Sequence, residues 1–301
     1  LLALHPPTAV AQTATPVADS AFATKGWAAA LRLYEESFGT NPTNLTARVR
    51  AGYAALALQR LDVARTHFIF VVNLAPQTGA PYAHAGLSMV AARARDTAEA
   101  LTRLESAVGA GYANYSALDQ EEAYGSLRNN TRFVAARQRA EGNAYPCMAD
   151  SVARSFDFWI GDWDVFLTGT ILRVGRNVIE RVAGGCAIME NWTASQGPVN
   201  PPSDGKSLNF VDPATGKWRQ VFMGSWRAQT NYHMGEYVDG AMRFTYERTT
   251  PQGATVSGRF TFFNLGPNKV RQMQDVTRDG GQTYQIVYDF TYVRRGSGES
   301  P

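Results

Sequence analysis

Glu190 is the residue of this sequence whose type and surroundings best suit acid–base chemistry. It alternates with Ile188 and Trp192 along a run that has the two-residue period of a β-strand. Burial among aromatic side chains raises the pKa of a carboxyl group, which prepares it to act as a general acid or base. His233 is a weaker second candidate. If the protein is an enzyme, these residues favour a lyase, an isomerase or a hydrolase.

The runs around Glu190 carry the same mixture of aromatic and polar side chains on one face. Trp218, Gln220 and Phe222 alternate in this way, and so do Ser207 with Asn209, Tyr232 with Met234 and Glu236, and Phe244 with Tyr246. A small closed core would be aliphatic, because each buried polar group needs a partner. An apolar wall with a few polar groups is instead the usual composition of a ligand cavity. The predicted ligand-binding residues are Glu190, Trp192, Asn209, Trp218, Gln220, Phe222, Tyr232, Tyr246 and Gln272. The alternative is a register shifted by one residue, which would turn Glu190 and Gln220 outward.

The elements that must position these residues are antiparallel strands. Turn signals such as Asp239-Gly240, Gly266-Pro267-Asn268 and Asp279-Gly280-Gly281 recur at short spacing after residue 160. The runs between them predict about ten strands joined by tight hairpins. Closure into an up-and-down barrel would remove the exposed edges of such a meander.

A short aromatic segment leads into the first of these strands. Phe156, Trp159, Ile160 and Trp163 are spaced as on one face of a helical turn, and strict alternation begins at Asp162. Asp157, Asp162 and Asp164 could be drawn as a cation site, but a helix cap and two solvated outer-face residues are the simpler interpretation. No metal site is predicted, because the four His are far apart and neither Cys has a partner at ligand spacing.

The second half of the chain resembles the lipocalin-like (calycin) barrels, in particular a bacterial branch of uncharacterised domains. The resemblance covers about the last 140 residues and rests on an ordered set of motifs. These are Phe156-Asp157-Phe158-Trp159-Ile160-Gly161-Asp162-Trp163, Gly184-Gly185-Cys186, Glu190-Asn191-Trp192, Asp212-Pro213-x-Thr215-Gly216-Lys217-Trp218, Arg271-Gln272 and Asp279-Gly280-Gly281. It implies a barrel with a cavity and does not specify a reaction. It also implies that Trp163 closes one end of the barrel, with Arg294 from the last strand lying across its ring.

The first half reads as helical hairpins similar to tetratricopeptide repeats. Counting from Leu45, Gly52 is at position 8, Ala64 at 20, Phe68 at 24 and Pro76 at 32. Small residues at 8 and 20 let two helices approach closely, and the aromatic residue at 24 fills the remaining gap. The repeats predict a groove for a protein or peptide partner, lined by Val49, Tyr53, Leu56, Ala83, Leu87 and Val90. The alternative, that these residues are inter-helix core, is favoured for all except Tyr53.

Composition and the chain start indicate where such a protein would work. The net charge of +3 is small and the basic residues are scattered, so no nucleic-acid partner is predicted. No stretch has the roughly 20 apolar residues of a membrane span. The apolar start, ending in Ala9-Val10-Ala11, resembles the tail of a secretory signal and predicts a periplasmic or secreted protein. In an oxidising compartment Cys147 and Cys186 would form a disulfide; two buried thiols are the alternative.

The predicted architecture is therefore α+β with two domains. The segments are a signal remnant and disordered tail over 1–19, helical repeats over 20–145, a linker over 146–155, the barrel over 156–295 and a disordered tail over 296–301. The leading functional hypothesis is a binding protein that holds a small apolar or amphipathic molecule in its barrel and docks a partner on its repeats. The alternatives are an enzyme that uses Glu190 in the same cavity and a structural adaptor without a ligand. No cofactor is predicted.

Overall fold

The structure is a computed structural model that describes residues 15–75, 80–196, 203–225, 229–249 and 255–301. The chain divides into two compact units, Leu1–Ala144 and Tyr145–Pro301. The first unit is helical and the second is a closed barrel. The predicted α+β class, with helical hairpins followed by an antiparallel up-and-down barrel of about ten strands, is confirmed.

The helical unit consists of consecutive helices that pack against one another. The helices are α1 Pro16–Ala23, α2 Trp27–Ser37, α3 Leu45–Ala57, α4 Leu61–Leu74, α5 Pro81–Arg93, α6 Thr97–Gly109, α7 Tyr115–Gln120 and α8 Thr131–Ala144, with a 3₁₀ turn at Glu122–Leu127. Several of these helices have a side-chain cap at their N-terminus. For example, the side-chain amide oxygen of Asn44 accepts a hydrogen bond from the backbone N–H of Ala47 at 3.1 Å, which satisfies a donor at the start of α3.

The close approach of α3, α4 and α5 depends on two glycines. Phe68 of α4 is fully buried, and its ring lies against both Gly52 and Gly86. A Cβ atom at either glycine would overlap this ring, so a side chain there would push the helices apart. The packing shows why small residues occur at these positions in the sequence. Pro76, which marks the end of the same predicted repeat, is outside the described residues.

The predicted N-terminal tail is too long. Residues 1–14, which contain the predicted signal remnant, are outside the described residues, but α1 begins at Pro16, inside the stretch assigned to a tail. Proline is well suited to the start of a helix, because its fixed φ is helical and its missing N–H is not needed there. Ala18 of α1 is buried, so this helix contributes to the core of the unit.

Ten strands of the described residues form the barrel, each antiparallel to its neighbours. They are β1 Gly161–Leu167, β2 Arg173–Val182, β3 Ala187–Ala194, β4 Asp204–Asp212, β5 Lys217–Gly224, β6 Gln229–Val238, β7 Ala241–Thr249, β8 Thr255–Asn264, β9 Lys269–Thr277 and β10 Gln285–Arg294. Consecutive strands pair along the whole meander, and β1 pairs with β10 with Trp163 opposite Arg294. Closure leaves no strand edge unpaired.

One end of the barrel is filled by the chain that precedes β1; we call it the closed end. Trp163 is fully buried, and the guanidinium carbon of Arg294 lies 4.4 Å from its ring centroid. Arg294 also donates to the carbonyls of Pro267 at 2.9 Å and Ile160 at 3.2 Å. Gly161 has a φ of 152° and faces this guanidinium, which leaves no room for a side chain. Trp163 and Arg294 thus connect the first and last strands at this end of the barrel.

A covalent link lies beneath the closed end. The segment before β1 contains 3₁₀ turns at Pro146–Met148 and Asp157–Trp159 and the short helix α9 at Ser151–Arg154. Cys147 in the first turn is joined to Cys186, just before β3, by a disulfide with a Cα–Cα distance of 5.0 Å. The link therefore attaches the segment that fills the barrel to the barrel itself.

The inward alternation of β6 is interrupted by a bulge. Register with β7 shifts between His233 and Glu236, and Met234 has a φ of 53°. Gly235 therefore takes the inward position, packed against the ring of Phe244 and Trp218, while Met234 and Glu236 are exposed. The predicted inward placement of Met234 and Glu236 beside Tyr232 is wrong, because strict alternation does not continue through a bulge.

Candidate functional site

The polar centre of the barrel interior is built around Glu190 on β3. The side chain points inward and the residue is only 4% exposed. Asn177 on β2 donates to one carboxylate oxygen at 2.7 Å, and the hydroxyl of Ser207 on β4 donates to the other at 2.6 Å. The two neighbouring strands thus supply one hydrogen bond to each oxygen of the carboxylate.

A further layer of amides orients Ser207. Its oxygen accepts from the side-chain amides of Asn209 at 2.9 Å and Gln220 at 3.1 Å, so its own hydrogen is left for Glu190. On the other side Asn177 also lies 3.2 Å from the hydroxyl of Tyr292, which donates to Gln272 at 2.9 Å. The hydrogen bonds on both carboxylate oxygens are therefore directed toward Glu190.

Burial and hydrogen bonding have opposite effects on the pKa of Glu190. Removal from water raises the pKa, and the hydrogen bonds from Ser207 and Asn177 lower it. Burial is the larger effect, so the pKa lies above its ordinary value of 4.5. Among the described residues, no Lys, Arg or His forms an ion pair with this carboxyl group. Glu190 is therefore a buried acid that is not paired with any basic side chain of the described residues.

Glu190 lies on the wall of a cavity of about 580 Å³ that occupies the half of the barrel away from Trp163. The cavity reaches the β1–β2 turn and the start of β10, where Leu172 and Val287 are 59% and 49% exposed. We call this the open end. The described lining residues are Leu172, Arg173, Val174, Glu190, Trp192, Ala194, Ser195, Ser203, Gln220, Phe222, Thr230, Tyr232, Phe260, Gln272, Gln274, Val287, Tyr288, Phe290 and Tyr292.

Aromatic rings form much of this wall. Tyr288 and Phe290 of β10 stack with centroids 4.8 Å apart, and the indole of Trp192 is nearly parallel to Phe290 at 6.4 Å. Trp192 leans over Gly175 of β2, where a Cβ atom would overlap the indole. Flat surfaces of this kind suit a planar or cyclic apolar ligand.

Six of the nine predicted ligand-binding residues line the cavity, and three do not. Glu190, Trp192, Gln220, Phe222, Tyr232 and Gln272 are on the wall. The other three, Asn209, Trp218 and Tyr246, are buried inside the barrel but do not line the cavity; their polar groups hydrogen-bond to the backbone. The indole N–H of Trp218 donates to the carbonyl of Val152 at 3.0 Å, the hydroxyl of Tyr246 donates to the carbonyl of Asp275 at 3.1 Å, and Asn209 donates to the carbonyl of Ile188 at 3.2 Å.

His233 does not join Glu190 in the cavity. It follows the inward-facing Tyr232 on β6 and precedes the bulge, so its side chain is on the outer face of the barrel. It is not among the residues that line the cavity. The prediction of His233 as a second acid or base in the cavity is therefore wrong.

Sequence reasoning missed the cavity face of β10. Tyr288, Phe290 and Tyr292 line the wall together, although the strand itself was predicted. A signal was present, because aromatic residues occur at every second position from 288 to 292. Asn177 was also missed. It is paired with Trp192 in the register of β2 and β3, and its hydrogen bond to Glu190 can be recognised only once the strand pairing is known.

The acidic residues near the start of β1 form ion pairs at the surface. Their arginine partners are Arg181 for Asp157 at 2.7 Å, Arg176 for Asp162 at 2.7 Å and Arg173 for Asp164 at 2.6 Å. Asp157 does not cap the turn that it begins, since no side-chain cap is present there. Within the described ranges, no group of three or more His, Cys, Asp or Glu residues is arranged to hold a metal ion.

The helical unit has an apolar groove of about 510 Å³. Val49, Tyr53 and Ala83 of the predicted groove residues line it, whereas Leu56, Leu87 and Val90 are buried outside it. The hydroxyl of Tyr53 donates to the carbonyl of Tyr82 at 2.9 Å, which links α3 to α5.

Across the described part of the chain, no helix has the length and apolar character of a membrane span.

No protein-family model matches this chain, and a search of curated proteins found no match either.

Proposed function

We propose that the barrel unit binds a small apolar or amphipathic molecule in the cavity beside Glu190. The observation that carries this proposal is the cavity itself: about 580 Å³ of space walled by aromatic rings, with the buried carboxyl group and three amide side chains, Gln220, Gln272 and Gln274, on the same wall. A barrel built only for stability would fill this space with side chains, because an empty interior forfeits packing energy. In this proposal the protein is a binding protein related in fold to the lipocalin-like barrels.

The proposed setting is the periplasm or the extracellular space. The disulfide between Cys147 and Cys186 supports it, because such bonds persist in oxidising compartments. We further propose that the helical unit is built from tetratricopeptide-like repeats and docks a protein or peptide partner. The packing of Phe68 against Gly52 and Gly86, and the groove that contains Tyr53, support that part of the proposal.

The cavity proposal is tested on the purified protein in two ways. Native mass spectrometry would detect a co-purified small molecule, and titration with the neutral fluorescent dye N-phenyl-1-naphthylamine would measure binding directly. We expect saturable binding with one dye molecule per chain. A protein that retains no molecule and does not bind the dye would favour the structural-adaptor alternative and contradict the proposed function.

A second candidate function is catalysis by Glu190 in the same cavity. The observation that favours it is the raised pKa of this buried carboxyl group, which is a common property of general acids and bases. A turnover with one of the lyase, isomerase or hydrolase chemistries would depend on pH and disappear in Glu190→Gln. If Glu190→Gln keeps full turnover of such a substrate, the catalytic role is wrong.

A further inference from the structure

The hydrogen bonds around Glu190 fit an ionised carboxylate, and no described Lys, Arg or His forms an ion pair with it. Ser207 donates to one oxygen and Asn177 to the other. If the Ser207-facing oxygen of Glu190 were protonated, it would need an acceptor, but the Ser207 oxygen already accepts from Asn209 and Gln220. On the Ser207 side the network thus favours an ionised oxygen, and no ion pair of the described residues neutralises that charge.

A second buried acceptor faces the same space. Gln220 lines the cavity and is 1% exposed, and its side-chain oxygen has no hydrogen-bond partner. Its amide nitrogen is committed to Ser207, so the oxygen is the atom left free. An unpaired buried acceptor is costly, and a donor from a bound molecule would remove that cost. Glu190 and Gln220 both bond to Ser207, so one ligand group can reach the two of them.

We infer that the ligand of the cavity is a cationic amine with a planar or aromatic body, held by Glu190 and Gln220 at its ammonium group. This inference rests on the proposed function and specifies its ligand class. An ammonium group supplies the missing positive charge and several N–H donors at once. The rings of Trp192, Tyr288 and Phe290 give the body of the ligand a stacking surface, and aromatic faces also attract cations. An anionic group placed beside Glu190 would be repelled by its carboxylate, and the guanidinium of Arg173, which also lines the cavity, is paired with Asp164 at 2.6 Å.

The test compares three indole probes that differ mainly at one end of the molecule: tryptamine, which is cationic at neutral pH, neutral indole-3-ethanol and anionic indole-3-acetate. Isothermal titration calorimetry on the full chain would measure the three dissociation constants. We expect tryptamine to bind about 10-fold or more tightly than indole-3-ethanol, the size of a charge-assisted hydrogen bond. Indole-3-acetate should bind weakest.

Variants show which carboxylate sets the preference. Glu190→Gln keeps the shape of the side chain and should abolish the advantage of tryptamine over indole-3-ethanol. The matched control is Glu236→Gln, which neutralises an exposed carboxylate paired with Lys217 on the outer face and should leave the preference unchanged. If Glu190→Gln does not fold, the wild-type ratio of the probes still decides the outcome.

Equal binding of the three probes by the wild-type protein, or tighter binding of indole-3-ethanol or indole-3-acetate, would overturn the amine inference. N-Phenyl-1-naphthylamine then separates the two levels of the proposal. Binding of this neutral dye without a preference for tryptamine would leave the cavity function standing and refute only the ligand class. Failure of both the dye and the indoles to bind would refute both.

Discussion

The two ends of the barrel use similar residues for different purposes. At the closed end Trp159, Trp163 and Trp218 are fully buried; Trp159 packs against Phe262 and Tyr292, and Trp163 packs against Tyr292. At the open end Trp192 is only partly buried and lies on a cavity wall. The strands are continuous from one end to the other. What differs is the chain before β1: its Phe156 and Trp159 are buried inside one end of the barrel, while the cavity lies toward the other end.

This difference shows that depth along the strand, more than residue type, decides the role of an inward-facing aromatic residue. Trp218 and Phe222 share one face of β5, yet Trp218 packs under α9 and Phe222 lines the cavity. Substitutions at the closed end should therefore reduce stability, and substitutions at the open end should reduce binding.

The largest expected loss of stability is for Trp163→Ala. Removing a fully buried indole leaves a cavity and separates Arg294 from its stacking partner, so the free energy of unfolding should decrease by about 3–5 kcal/mol. Urea denaturation followed by circular dichroism would measure it. Trp192→Ala is the matched control at the open end and should cost clearly less. Equal losses for the two variants would contradict the division between the ends.

Removing the disulfide should have the next largest effect. The bond closes a loop over a sequence separation of 39 residues, for which about 2–4 kcal/mol of stabilisation is typical. The double variant Cys147→Ala/Cys186→Ala should therefore have a lower free energy of unfolding and a lower denaturation midpoint than the wild-type protein. A midpoint equal to that of the wild-type protein would show that the filled end holds its position without the covalent link.

Arg294 and Arg295 provide an adjacent pair with different expected costs. Arg294→Met removes a stacked guanidinium and two hydrogen bonds to carbonyls, so we expect a loss of about 1–3 kcal/mol. Arg295→Met removes ion pairs to Asp162 at 3.6 Å and Asp164 at 3.5 Å on an exposed side chain, which contribute about 0–1 kcal/mol. A larger loss for Arg295→Met in thermal unfolding would contradict the role assigned to Arg294.

Glu190→Gln should show the smallest effect on stability, visible as a change in its pH dependence. Because burial raises the pKa of this carboxyl group in the folded state, the folded protein binds the proton more tightly than the unfolded chain does. Wild-type stability should therefore decline as the pH rises above 4.5, and the variant should lack this decline. Melting temperatures would be measured at pH 4 and pH 7. The melting temperature of the variant minus that of the wild-type protein should be larger at pH 7 than at pH 4. A constant difference would mean that the pKa of Glu190 is not raised.

Periodicity predicted much of the fold and part of the site. Alternation placed Glu190 and Gln220 on the inner face, because the pairings of β3 with β4 and of β4 with β5 run without a register shift. It failed on β6, where the extra residue at Met234 reverses the pattern. It could not separate Trp218 from Phe222, because their depth depends on a segment that enters the barrel from outside the sheet. The network around Glu190 draws side chains from six strands, β2 to β5, β9 and β10, and no local pattern specifies how these strands meet.

The most direct test of the division between the two ends is a titration with N-phenyl-1-naphthylamine on three proteins: wild type, Trp192→Ala and Arg294→Met. Fluorescence would give the dissociation constant under conditions in which circular dichroism shows each protein to be folded. The open end predicts saturable binding by the wild-type protein, a loss of affinity of about 10-fold or more in Trp192→Ala, and an unchanged affinity in Arg294→Met. No saturable binding, or an equal loss of affinity in both variants, would contradict the assignment of the open half of the barrel as the binding site.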